Sequence, residues 1–294
     1  MLRHLLFPPA LIFALLLVVA PLRAQMLLPG AVGPGVTAVG KPAGSGILPL
    51  SPGRKPRKPA AAGTRTAGKP PGEETVIEHP LYQNGASGAL EFVRHDKTLQ
   101  IRKLVLRGEQ SAKPGEVCEV NVAPTATLAA TPAGMPAGLA RYVVEMEACP
   151  FSFDILDESI LVSSPNLTCE FKQADCQVNP SGLWGPKPAT FTPARAKEIE
   201  HARTRWEAAV RDSFRDALAR AKDKTEIKQV AHDQAGFSSE RETQCRDYAA
   251  ESTYGFCAAR LTQARAFALR AKTGQLEAQH AAETVVKVGR AKKR

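Results

Sequence analysis

All six cysteines of the chain lie between Cys118 and Cys257, downstream of an N-terminal segment with the layout of a secretory signal. An even set of cysteines in an exported chain predicts disulfides, because the compartments outside the cytoplasm oxidise thiols. Four of the cysteines fall in a stretch rich in strand-forming residues, and two fall in a stretch with helical periodicity. The cysteines therefore predict two modules, each held by its own disulfides.

The export signal is predicted over residues 1–24. An uncharged apolar stretch of 16 residues runs from Leu5 to Ala20, Pro21 ends it, and Ala24 offers a small residue for cleavage. This is the three-part layout of a signal peptide, and the stretch is shorter than the roughly 20 residues that span a bilayer. We expect a periplasmic or secreted protein without a transmembrane segment after cleavage. The alternative is an uncleaved anchor.

The charge distribution argues against a nucleic-acid-binding protein despite the net charge of +10. Residues 1–72 hold nine basic and no acidic residues, and residues 284–294 hold five basic and no acidic residues. Residues 73–190 carry a net charge of −6, and residues 191–283 carry +2. A nucleic-acid-binding protein places its basic patch on the fold, so the basic ends fit an anionic envelope polymer better.

Composition divides the rest of the chain into four regions. Residues 25–75, rich in Pro, Gly, Ala and Lys, are predicted to be a disordered linker. Residues 76–190 form a β-rich domain, residues 191–283 a helical domain, and residues 284–294 a basic tail. The predicted fold class is therefore α+β with two domains: a small disulfide-stapled all-β domain, then an all-α helical hairpin or antiparallel bundle.

The β-rich region contains several short runs of strand-forming residues separated by Gly, Pro and Asn. This pattern predicts a small sandwich or barrel. Its four cysteines allow three connectivities, and we favour Cys169–Cys176, which brackets a short turn, with Cys118–Cys149 joining more distant strands. A zinc site is the rival interpretation, but the spacing contains no CxxC pair, so we expect no metal.

The helical region opens with Thr192 and Pro193, the pattern of an N-cap followed by proline in the first turn. Cys245 and Cys257 are 12 residues apart, which is about 18 Å on one unbroken helix and too far for a disulfide. Either the helix breaks near residues 252–255 and the pair Cys245–Cys257 bonds, or both thiols are free. We favour the bond.

The segment from residue 241 to residue 270 resembles the C-terminal half of the LprI/DUF1311 family of small exported helical proteins, named for a lysozyme inhibitor. The matching positions are Arg241, Cys245, Cys257, Leu261, Thr262, Arg265 and Leu269. The resemblance implies a helical fold over about residues 191–283 and a lysozyme-type hydrolase as partner.

A structural role for the same positions is the alternative interpretation. Leu261 and Leu269 have helical spacing and are predicted to be core residues. Thr262 is expected to hydrogen-bond to its own helix, and Arg265 to pair with an acid on a neighbouring helix.

No enzymatic motif is present in the sequence, so we expect neither catalytic residues nor a cofactor. Asp154, Asp157 and Glu158 could mimic the carboxylate pair of a glycosidase, but a solvated strand or turn explains them better. The leading hypothesis is an exported non-catalytic binding protein, with a lysozyme-inhibitor-like protein that binds a cationic cell-wall hydrolase as its specific form. The alternative is a structural envelope protein tethered through its basic linker.

Overall fold

The computed structural model describes residues 68–291 except Glu78 and Pro124, with the backbone alone for residues 283–291. The predicted signal peptide and residues 25–67 of the predicted linker lie outside the described residues. The described strands are β1 Leu81–Gln83, β2 Ser87–His95, β3 Thr98–Gln110, β4 Val117–Asn121, β5 Leu128–Pro132, β6 Arg141–Val144, β7 Phe151–Leu156, β8 Ser159–Ser163, β9 Cys169–Phe171, β10 Cys176–Val178 and β11 Gly182–Gly185. The described helices are α1 Pro193–Arg220, α2 Lys224–Ala235, α3 Phe237–Cys245, α4 Glu251–Tyr254 and α5 Phe256–Ala291.

Eight of the strands form a closed antiparallel barrel. Around the barrel they follow the order β1, β2, β3, β5, β6, β7, β8 and β11, and β11 pairs with β1 to close the ring. Neighbours around the ring therefore follow the order of the chain, as in an up-and-down barrel. Closure pairs both edges of the sheet, which an open sheet leaves free.

Large apolar side chains fill the barrel. Alternate residues of a strand point to the same side, and in β7 these inward residues are Phe151, Phe153 and Ile155. The largest fully buried side chain is Trp184, whose Nε1 donates to the Pro180 carbonyl at 2.8 Å. The barrel interior is therefore a packed core.

The long strand β3 belongs to the barrel and to a small extension. Its first half pairs with β2 and β5, and its last residues pair with β4 on one side and β10 on the other. Strand β9 pairs with β10 at the outer edge of the extension. Strands β4, β9 and β10 are therefore additions to a simple eight-stranded meander.

The disulfides of the β-rich region differ from the prediction. The structure joins Cys118 to Cys176 and Cys149 to Cys169, so the predicted pairs Cys118–Cys149 and Cys169–Cys176 are wrong. The register explains the difference: Cys118 lies opposite Gly108 of β3, and Cys176 pairs two residues further along the same strand. Cys169 lies opposite Val178 rather than Cys176, although the two cysteines are close in sequence.

The helices do not form the predicted hairpin, because α1 and α5 run parallel. Phe191 lies against Phe256 at their starts, with ring centroids 5.6 Å apart, and Trp206 lies against Phe267 further along, at 5.4 Å. Near the end of α1, Arg220 pairs with Glu277. Helices α2 and α3 carry the chain back between them, and Thr192 caps α1 as predicted by accepting a hydrogen bond from the Arg195 amide at 3.2 Å.

The helices pack on the outside of the barrel, at a surface we call the seam. Leu156 of β7 and Leu183 of β11 point outward and share one apolar cluster with residues of α1 and α5, and Leu161 of β8 packs against it. The predicted separation into a small all-β domain and a separate helical domain is therefore wrong. These three leucines would face water without the helices, so burying them joins the two regions.

The predicted break in the last helix is present. Gly255 has φ of 62°, a left-handed conformation that glycine adopts at little cost, and it separates α4 from α5. The turn brings the Cα atoms of Cys245 and Cys257 to 5.5 Å, and the predicted disulfide is formed. The helix break and the disulfide therefore occur together.

The ends of the described region also differ from the predicted linker and tail. A short 3₁₀ helix at Glu73–Thr75 docks on the barrel, where Tyr142 and Arg94 both donate to the Glu73 carboxylate. The backbone of α5 continues to Ala291, so residues 284–291 are helical. No helix in the described residues is both long and apolar enough to cross a membrane.

Candidate functional site

A cleft of about 490 Å³ lies at the seam, between the turn from β7 to β8 and the first turns of α1. We call it the Arg260 cleft, after the arginine of α5 that lines it. Buried Ile199 and Ala202 of α1 form its apolar lining, and Thr75 lies at its edge. Elements distant in sequence therefore meet around one concave surface, as at many ligand sites.

Arg260 is a buried charge that is incompletely hydrogen-bonded. It is 3% exposed, and its guanidinium carbon lies 4.7 Å from the centroid of the Phe256 ring. Its Nη atoms lie 3.6 Å from Asp157 Oδ2 and 4.0 Å from Glu158 Oε2, which are ion-pair distances beyond hydrogen-bonding range. Its Nε has no hydrogen-bond partner among the described residues.

The burial of Arg260 has an electrostatic consequence. Burial lowers the pKa of Arg260, and the carboxylates of Asp157 and Glu158 oppose that shift. An arginine nevertheless stays charged at any physiological pH. Helix α5 thus holds a permanently charged guanidinium beside the cleft, in a position that is almost inaccessible to solvent.

Asp157 and Glu158 form the two-residue turn between β7 and β8. Glu158 has φ of 52°, in the left-handed region that tight hairpin turns require. The Asp157 amide donates to Gln263 Oε1 of α5 at 3.3 Å, and Thr75 donates to the Leu156 carbonyl at 3.1 Å. Both carboxylates are therefore held in place at the cleft.

Helix α1 supplies the opposite side of the cleft. Arg195, in its first turn, pairs with Glu158 and also with Glu198, whose Oε2 is 2.8 Å from the Arg195 Nη1. His201 and Arg205, one turn apart on the same helix, are exposed and make no hydrogen bond or ion pair with the described residues. These two basic side chains of the cleft therefore remain available to a ligand.

A second cavity of about 310 Å³ adjoins the cleft and shares Glu158 with it. We call it the Tyr82 cavity. Its apolar lining includes Pro80, Tyr82 and Pro186, and the Lys187 Nζ lies 4.2 Å from the centroid of the Tyr82 ring. The two cavities together place apolar and charged surface side by side.

The acidic cluster noted in the sequence is split by the structure. Asp154 is 7% exposed and accepts two hydrogen bonds from Arg141, at 2.6 and 2.7 Å, so it does not lie on a solvated face. That side-chain hydrogen bond raises the pKa of Arg141. Asp157 and Glu158, in contrast, face the cleft, where they are partly exposed.

The positions that carried the family resemblance lie elsewhere, on α3 and α5. Arg241 donates to Thr262 at 3.0 Å, and Thr262 donates to the Ala258 carbonyl of its own helix at 2.6 Å. Arg265 donates to Gln234 Oε1 at 2.9 Å and to the Asp233 carbonyl rather than pairing with an acidic side chain. Leu261 and Leu269 are buried as predicted core residues, and none of the seven described positions lines the Arg260 cleft.

Glu251 is a partly buried carboxylate, close to the disulfide of the helical region. It accepts hydrogen bonds from the amides of Cys257 and Ala258, each at 2.8 Å, and so caps the start of α5. Burial raises the pKa of Glu251, and the two amide hydrogen bonds oppose that shift. This cap was not predicted from the sequence, although an acid preceding the Gly255 break is the signal for it.

Arg260 and Arg195 were also missed in the sequence. No sequence motif marks Arg260; its burial between the buried residues Ala259 and Leu261 is visible only in the structure. No group of three or more His, Cys, Asp or Glu in the described part of the chain is placed to hold a metal ion. All six cysteines are disulfide-bonded.

Comparison with protein-family models, with curated proteins and with solved structures gives no significant match to this chain. The interpretation of the site therefore depends on its own geometry. The three disulfides indicate an oxidising environment outside the cytoplasm.

Proposed function

We propose that this chain is a periplasmic or secreted, non-catalytic binding protein, and that the Arg260 cleft is its ligand site. The disulfides support the compartment, since such bonds form where thiols are oxidised. A concave surface with a few fixed polar groups and an apolar lining is the general form of a small-ligand site.

The observation that carries this proposal is the state of Arg260. A buried guanidinium loses its hydration and is stabilised only when its N–H groups are hydrogen-bonded. Here Nε lacks a partner among the described residues, and the nearest carboxylates are 3.6 and 4.0 Å away. A ligand oxygen in the cleft can provide hydrogen bonds that the folded chain itself does not provide.

The surroundings of the cleft support binding rather than turnover. Glu158 lies between Arg195 and Arg260 and forms ion pairs with both of them. The turn that carries it is fixed to α5 through Gln263. Preorganised charged groups of this kind hold a ligand at low entropic cost.

The proposal is tested by a thermal-shift screen of the oxidised mature chain and of Arg260→Met. The probes are amino acids, monosaccharides, short carboxylic acids and inorganic phosphate. We expect at least one class to raise the melting temperature of the wild-type chain without affecting Arg260→Met, because a ligand that binds the native state stabilises it. Arg211→Met, at an exposed position of α1, is the matched control and keeps the response. Equal responses of wild type and Arg260→Met to every probe contradict the proposal.

A lysozyme-type hydrolase is a second candidate partner. Two features support it: the motif positions shared with the LprI/DUF1311 family, and the net charge of −6 over residues 73–190, which is complementary to a cationic enzyme. The test is the rate of cell-wall hydrolysis by lysozyme with increasing amounts of the oxidised mature chain. We expect inhibition at micromolar protein that weakens with added salt, and an unchanged rate over that range excludes this partner.

A further inference from the structure

The Arg260 cleft is balanced in charge and presents groups of both signs. Three arginines and three carboxylates line it: Arg195, Arg205, Arg260, Asp157, Glu158 and Glu198. Besides its existing ion pairs, the cleft offers the Asp157 carboxylate on the turn from β7 to β8 and the basic side chains of His201 and Arg205 on α1. A simple anion or a simple cation would meet groups of its own sign as well as groups of the opposite sign.

We propose that the cleft binds the α-amino-acid group of its ligand, with the ammonium on the turn and the carboxylate on the arginines. The inference rests on the proposed function and names the class of ligand. Within the described residues the Asp157 carboxylate accepts no side-chain hydrogen bond, and its ion pair with Arg260 is 3.6 Å long, so this carboxylate is available to an ammonium. Arg205 is exposed and unpaired within the described residues, so its guanidinium is available to a carboxylate.

Arg260 links the two sides in this arrangement. It already lies near Asp157 and Glu158, and a ligand carboxylate bound beside it completes the hydrogen bonding of a charge that the fold leaves unsatisfied. The ligand ammonium in turn offsets the repulsion between that carboxylate and the acidic turn. A zwitterion therefore satisfies both sides of the cleft without changing its net charge.

The Tyr82 cavity indicates which side chain the ligand carries. It shares Glu158 with the cleft and presents Pro80, Tyr82 and Pro186. A volume of about 310 Å³ lined by rings of this kind suits a large apolar or aromatic side chain. The ligand class is thus an aromatic or large apolar α-amino acid, free or at the end of a short peptide.

Isothermal titration calorimetry with the oxidised mature chain tests the inference with four probes. L-Phenylalanine carries both charges and a ring, glycine lacks the ring, Nα-acetyl-L-phenylalanine lacks the ammonium, and L-phenylalaninamide lacks the carboxylate. Because a hydrogen-bonded ion pair is lost in each capped probe, we expect each to bind about tenfold or more weakly than L-phenylalanine. Glycine is expected to bind more weakly than L-phenylalanine.

Two variants assign the charges to their partners. Asp157→Asn should weaken L-phenylalanine but leave Nα-acetyl-L-phenylalanine unchanged, and Arg205→Met should weaken L-phenylalanine but leave L-phenylalaninamide unchanged. Arg211→Met is the control and should bind all probes like the wild-type chain. Equal affinity for free and capped phenylalanine overturns the inference. So does a screen in which no amino acid binds while another class of ligand shows Arg260-dependent binding, and in that case the proposed function stands. The absence of any Arg260-dependent ligand overturns both.

Discussion

The barrel interior and the seam are both closed to solvent, yet they are built from different residue types. The interior is filled by aliphatic and aromatic side chains such as Phe92, Phe153 and Trp184. Among the described residues the buried polar side chains lie instead on β7, on β8 and on the helices; they are Asp154, Ser159, Ser213, Arg260, Thr262 and Gln263. The difference teaches that apolar packing fills the barrel, while charged groups such as Arg260 are buried outside it.

The largest effect is expected from a cavity in the barrel. Trp184 is 1% exposed, and Trp184→Ala should lower the free energy of unfolding by about 3–5 kcal/mol, because the neighbouring strands cannot collapse into the space. Urea denaturation followed by circular dichroism measures the loss. Leu167→Ala, at a residue that is 88% exposed, is the control and should change stability by less than about 0.5 kcal/mol. If Trp184→Ala lowers the free energy of unfolding no more than an ordinary surface substitution does, the barrel interior is not the stabilising core.

The disulfides compare the two regions directly. In the chain-entropy view, removing Cys118–Cys176, with a separation of 58 residues, costs about 4 kcal/mol, and removing Cys245–Cys257, with a separation of 12, costs about 3 kcal/mol. Pairwise Cys→Ala variants, unfolded in urea, give the two values. The reverse order would show that the helical region depends on its disulfide more than the β-rich region depends on Cys118–Cys176.

At the seam we expect a substitution to leave the stability of the fold unchanged or to raise it. Arg260→Met keeps the length of the side chain and removes a buried cation, so the melting temperature should stay the same or rise. Calorimetry gives the melting temperatures of Arg260→Met and Trp184→Ala, and so compares the seam with the barrel interior. A fall as large as that of Trp184→Ala assigns Arg260 a structural role and removes the main support for a binding site.

The smallest effect is a pH dependence at Glu251. Its pKa is raised by burial, so the folded chain holds that proton more tightly than the unfolded chain does. Its contribution to stability is therefore greatest below the unfolded pKa, near 4.5, and is lost as the pH rises through the folded pKa. Wild type and Glu251→Gln should be similar in stability at low pH, and wild type should become the less stable of the two towards neutral pH. Urea unfolding at several pH values checks this, with exposed Glu242→Gln as control; a constant difference across pH contradicts it.

Local features of the fold were predictable from the sequence. Thr192 with Pro193 marked the start of α1, and the spacing of Cys245 and Cys257 required the break at Gly255. Both depend on residues close together in the chain. The acidic turn of Asp157 and Glu158 was visible for the same reason.

Features set by long-range register were not predictable. The disulfides Cys118–Cys176 and Cys149–Cys169 depend on how β4, β9 and β10 pair, which composition does not specify. The seam follows from strands that are apolar on both faces: Leu156, Leu161 and Leu183 alternate with inward-facing core residues. Arg260 lies near Asp157 only because α5 packs on the hairpin of β7 and β8, which is about a hundred residues away in sequence.

The barrel closes through a short contact between its first strand and its last. Strand β1 joins β11 through only two residue pairs in register, Tyr82 with Gly185 and Gln83 with Trp184. A chain that emerges from its N-terminus therefore cannot complete the ring until residue 185 has appeared. Until then β1 and the latest strand to form present unpaired edges, and unpaired edges of this kind make an incomplete sheet prone to aggregation.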